Sequence, residues 1–91
     1  MRLIAFSQLD ELLLMHKRVS ADFNSTSLRC AVELTVYQVK EDDFILKLQK
    51  IPRREWEDRE APEYYRGTRA ERNKKMKEIG IDPNFPRWVV G

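Results

Sequence analysis

Apolar residues along this chain change their spacing twice and then thin out. Between positions 8 and 19 they fall at Leu9, Leu12, Leu13 and Val19, with Leu14 and Met15 widening the stripe, which is the spacing of one buried helix face. Ser7 stands just before them with Asp10 three residues on, so the hydroxyl can cap the helix and the carboxylate sits at its positive end, while Lys17 and Arg18 fall in the last turn. The pattern predicts a helix over 8–19, preceded at 2–6 by a short candidate strand. Asp22, Asn24, Ser25, Thr26 and Ser27 then predict a turn. From Leu28 the period becomes two: Cys30, Val32, Leu34 and Val36 point one way, Arg29, Glu33, Thr35 and Tyr37 the other. Glu41, Asp42 and Asp43 interrupt the alternation, which resumes with Phe44, Leu46 and Leu48 set against Ile45, Lys47 and Gln49. Two alternating strands around a short acidic turn form an antiparallel hairpin, ended at Pro52, which cannot donate to a ladder.

After position 51 the apolar residues are sparse. Residues 1–51 hold 21 Ala, Val, Ile, Leu or Met side chains, and residues 52–91 only seven. So few aliphatic side chains cannot offset the entropy of ordering this stretch on its own. It must lie against the first half, lie against a partner, or stay disordered. Thr68 and Glu71 form a capping box, and Gly80 followed by Ile81 and Pro83 is a stop signal, so a helix is predicted over 69–79. Its apolar content is thin: Ala70, Met76 and Ile79. Phe85 and Trp88 then punctuate an extended tail.

Charge is nearly balanced over the 91 residues, at +2, but it is sorted along the second half. Glu55, Glu57, Asp58, Glu60 and Glu63 form an acidic block, and Arg66, Arg69, Arg72, Lys74, Lys75 and Lys77 a basic one. Such blocks face partners or solvent more often than a core. A single cysteine, Cys30, excludes an internal disulfide framework. Cys30 and His16 do not make a nucleophile and base, because Cys30 falls on the apolar side of its strand and His16 sits among basic residues. One cysteine and one histidine are too few for a zinc site, the acids at 41–43 read as a solvated turn, and no glycine loop is present to cradle a phosphate. The sequon at Asn24 reads as part of the turn. Neither apolar run, at 3–6 or 12–15, is long enough to span a bilayer.

Residues 30–51, Cys-Ala-Val-Glu-Leu-Thr-Val-Tyr-Gln-Val-Lys-Glu-Asp-Asp-Phe-Ile-Leu-Lys-Leu-Gln-Lys-Ile, resemble the hairpin in the C-terminal regulatory domain of AMP-activated protein kinase catalytic subunits. The resemblance covers about a quarter of the chain. The closing helix of that domain has no counterpart after Ile51, and the resemblance implies a hairpin without implying an activity.

The expectation is therefore an α+β protein. Residues 1–51 form a small head, an antiparallel hairpin with the 2–6 segment as a candidate third strand, packed on one helix. Residues 52–91 form an extended charged and aromatic arm with a short basic helix at 69–79. With no catalytic constellation, cofactor motif or metal ligand set, the chain reads as a noncatalytic accessory or structural subunit of a larger intracellular assembly, in the cytoplasm or an organelle interior such as the mitochondrion. It would bind protein neighbours through Trp56, Tyr64, Tyr65, Phe85 and Trp88 as anchors, the residue types enriched at hot spots, with Arg66, Arg69, Arg72, Lys74, Lys75 and Lys77 supplying complementarity. Two alternatives use the same residues: contact with RNA in a ribonucleoprotein such as an organellar ribosome, with Tyr64 and Tyr65 as stacking surfaces, and inhibition of one partner enzyme. The aromatic residues carry a competing expectation, that they fold back to cap the head.

Overall fold

The computed structural model describes residues 7–54 and 60–90. The candidate strand at 2–6 and Trp56, with most of the acidic block, lie outside the described residues. In chain order the elements are α1 (Gln8–His16), β1 (Arg18–Ser25), β2 (Cys30–Lys40), β3 (Asp43–Lys50), β4 (Glu63–Gly67), α2 (Arg69–Ile79) and β5 (Val89–Val90). All five strands join one antiparallel sheet in the order β4-β3-β2-β1-β5. Consecutive strands β1 to β4 are neighbours, and β5 returns to the far edge.

The hairpin forms as its alternation requires: Leu34 faces Leu48 and Val36 faces Leu46, and Val32, Leu34, Val36, Phe44, Leu46 and Leu48 are all buried. Both helices cover that face. From α1 come Leu9 and Leu13, from α2 Met76 and Ile79, and these join the strand residues, Ile81 and Trp88 in one core. Residues from both sides of position 52 thus share it. The second helix follows β4 in the chain and not the hairpin directly.

Three expectations are corrected. The first helix ends at His16, because Lys17 turns into the left-handed region at φ 63 and its N–H donates to the carbonyl of Leu13. Residues 18–25, expected as helix end and turn, are a strand: eight successive residues pair with β2, turning Val19 and Ala21 into the core. Cross-strand pairing and burial outweigh the turn preference of Asp22, Asn24 and Ser25. The expected extended arm instead supplies two strands and a helix to the same layers. Its tail also closes the start of α1, where the N–H groups of Gln8 and Leu9 donate to the Asn84 side chain (3.0 Å) and the Pro83 carbonyl (3.1 Å). Those are two of the donors that a helix start leaves without intrahelical partners. Among the described residues no helix is long and apolar enough to cross a membrane.

Candidate partner-binding site

The basic helix is built as its sequence signals require. Thr68 Oγ1 accepts from the N–H of Glu71, the Glu71 carboxylate accepts from the N–H of Thr68, and Gly80 closes the far end at φ 102. Only Met76, Ile79 and Arg72 are buried along α2, so an arginine stands where an aliphatic residue would be expected. Its guanidinium centre lies 4.5 Å from the Phe44 ring centroid, and Nη1 donates to Asp10 Oδ1 of α1 at 2.7 Å. Nε and Nη2 donate to the Asn73 side chain. Arg69 Nε donates to the same Asp10 oxygen at 3.0 Å, and the Ser7 hydroxyl to its other oxygen at 2.8 Å.

Asp10 is 5% exposed. Burial alone would raise its carboxyl, but the hydrogen bonds from Arg72 and Ser7, the Arg72 charge and the Arg69 bond outweigh burial and hold it at about 2. One carboxylate therefore pins both helices together over Phe44.

Beside this pin, where α2 passes over β3 and β4, lies a groove of about 180 Å³. Phe44, Leu46 and Tyr65 give it an apolar lining, with Arg72 beside Phe44 and Arg66, Gly67, Glu71 and Lys75 completing it. The volume is below the roughly 300 Å³ at which small-molecule sites begin, and suits one inserted side chain. Gly67 keeps it open: a Cβ there would come within 3.0 Å of the Glu71 Cβ and Cδ, and the capping-box side chain would have to move. Lys75 Nζ sits 4.2 Å from the Tyr65 ring centroid, and Arg66 forks onto Asp43 with bonds of 3.0 and 2.6 Å. Those bonds hold the Asp43 carboxyl below its ordinary range, and the bond from Tyr65 to Glu63 Oε2, at 2.6 Å, raises the phenol above its own. Among the described residues no strand pairs with the outer side of β4, so the groove opens beside that edge of the sheet.

No known protein family, characterised protein or solved structure matches this chain. The structure gathers Tyr65, Arg72 and Lys75 around the groove, places Arg66 at its edge with the side chain paired to Asp43, sets Arg69 beside it on Asp10, and leaves Lys74 and Lys77 exposed along α2. Tyr64, 61% exposed, points to the other side of the sheet. Two expected anchors are used internally. Trp88 is 8% exposed, and its indole N–H donates to the Pro83 carbonyl at 3.2 Å. Phe85 is half-buried, its ring centroid 6.1 Å from Trp88 and 6.3 Å from Phe23. Both fold back onto the head, following the competing expectation. Arg72, also expected to face a partner, is 2% exposed and committed to Asp10. Sequence reasoning missed Asp10 and Phe44 as parts of the site, because their partnership with Arg72 spans the chain and leaves no local spacing. Among the described residues no cluster of acids, histidines or cysteines is placed to hold a metal ion.

Proposed function

We propose that the protein is a noncatalytic accessory subunit that docks a protein neighbour at the β4–α2 edge. The observation that carries this reading is the groove under α2, sized for one side chain, lined by aromatic and aliphatic groups, and opening beside a strand whose outer edge no other strand among the described residues takes up. An extended segment laid along β4 gains main-chain hydrogen bonds from that edge, and a side chain of that segment enters the groove. With Arg69 and Arg72 held on Asp10, Lys74, Lys75 and Lys77 are the cations that α2 presents, so the preferred segment is acidic on its flanks.

Sedimentation of the tagged protein from its native lysate tests the reading. The wild type should migrate in a particle that survives ribonuclease, and changing the groove with Tyr65→Ala and Lys75→Glu should release it as a free small protein. Migration of the wild type as a free protein, or a particle indifferent to both substitutions, overturns the assignment.

A further inference from the structure

The sheet face away from the helices carries its own constellation. Strand register places Arg18, Tyr37, Ile45 and Arg66 in one row across β1, β2, β3 and β4, and Ser20, Thr35, Lys47 and Tyr64 in the next. Thr35 is buried at the centre, Tyr37, Ile45 and Lys47 are half-buried, and Arg18, Arg66 and Tyr64 are exposed. The guanidinium centre of Arg18 lies 5.6 Å from the Tyr37 ring centroid. Lys47 stands directly opposite Tyr64. The third row, Asp22, Glu33 and Gln49, is acidic, so the face is polarised: aromatic and basic at one end, negative at the other.

From these positions we infer that the basic end of this face binds single-stranded nucleic acid. Two tyrosines supply surfaces on which bases stack, and Arg18, Lys47 and Arg66 flank them within reach of phosphates. Tyr37 and Tyr64 are two strands and two residues apart, which at a strand spacing of about 4.8 Å and a rise of about 3.4 Å separates their Cα atoms by about 12 Å. A stacked strand repeats at roughly 3.4 Å. The two rings therefore cannot take adjacent bases of a continuous stack. They suit an unstacked strand with its bases splayed apart, and a duplex, whose bases are turned inward, is not accommodated. The acids of the third row confine the strand to the first two rows, running from β1 toward β4. Arg66 keeps its side chain 59% exposed while paired with Asp43, which leaves it able to reach a phosphate. This face is opposite the groove, and Tyr37, Tyr64 and Lys47, on which the test below rests, take no part in docking there.

The test is fluorescence anisotropy of a fluorescein-labelled ten-nucleotide oligouridylate, titrated with the full chain at low and moderate salt. Wild type should bind in the micromolar range. Tyr64→Ala and Tyr37→Ala should each weaken binding by roughly 5- to 100-fold, the usual effect of losing one stacking aromatic. Lys47→Gln should reduce the salt slope by about one. Because Tyr64 is largely exposed, its variant keeps the melting temperature of the wild type, and circular dichroism confirms that loss of binding is not loss of fold. No anisotropy change up to about 1 mM protein, weaker than ordinary nonspecific binding, overturns the inference. So does binding that both tyrosine variants retain while Lys74→Glu with Lys77→Glu abolishes it, since the strand would then lie on α2.

Discussion

The two halves of this chain reach the same core by different means. Residues up to 51 arrive with leucine, valine and phenylalanine at regular spacing, and Leu9, Leu13, Val32, Leu34, Val36, Phe44, Leu46 and Leu48 are all buried. Past position 60 only Met76, Ile79, Ile81 and Trp88 join them as buried apolar residues. What holds the second half is specific: a buried arginine on a shared carboxylate, a forked Arg66–Asp43 pair, an indole bonded to a carbonyl, and a capping box. Burial by area tolerates many substitutions of similar volume, whereas these contacts depend on single atoms. Aliphatic content therefore measures how a segment is held, and not whether it is held.

The largest expected effect breaks the pin. Asp10→Ala leaves the Arg72 guanidinium buried with Asn73 as its remaining acceptor among the described residues, and should cost about 4 kcal/mol, read as a lowered urea midpoint. Adding Arg72→Met should recover most of that loss, because an apolar stem over Phe44 replaces the pair without stranding a charge. If the double variant is no more stable than Asp10→Ala, the pair is more than a pin. Next comes Trp88→Ala, expected to cost about 3 kcal/mol and to lower one cooperative transition. A variant that melts like wild type would detach the C-terminal tail from the core and restore Trp88 as a free anchor.

Local signals made much of the architecture legible. The alternation of 30–36 and 44–48, the Ser7 cap, the capping box at Thr68 and the Gly80 stop all appear where the residues placed them. β1 was hidden because its residues, Arg-Val-Ser-Ala-Asp-Phe-Asn-Ser, include the very types that favour turns, and only pairing with β2 decides the matter. The candidate site was half legible. The basic and aromatic residues were visible as a cluster in sequence, but register splits them between two faces of the sheet, sending Tyr65 to the groove and Tyr64 with Arg66 to the open side. No local pattern reveals that Asp10 and Arg72, 62 positions apart, meet.

Acid should reproduce part of the first prediction. The folded Asp10 carboxyl is lowered from 3.8 to about 2, so its contribution is fully present above the unfolded value and is lost as pH falls from about 4 toward 2. The difference amounts to roughly 2 kcal/mol. Other carboxylates titrate in the same window, Asp43 among them, so the measurement is the difference in thermal stability between wild type and Asp10→Asn at about pH 6 and about pH 2. That difference should shrink as the pH falls. A constant gap would mean that the charge on Asp10 contributes nothing beyond its shape.

The smallest effect compares the two helix starts. Thr68→Ala removes the acceptor for the Glu71 N–H and half of the capping box, an expected loss of about 1 kcal/mol. Ser7→Ala removes the corresponding acceptor on α1, for the Asp10 N–H, and also the hydroxyl that donates to the pinned carboxylate. It should therefore cost more than Thr68→Ala although α1 has the stronger apolar anchoring. If the two losses are equal in chemical denaturation, the Ser7 donor is dispensable and the two arginines alone hold Asp10. If Thr68→Ala costs more, α2 depends on its cap because its apolar face is too thin to hold the first turn, and the difference between the two halves extends to their helix ends.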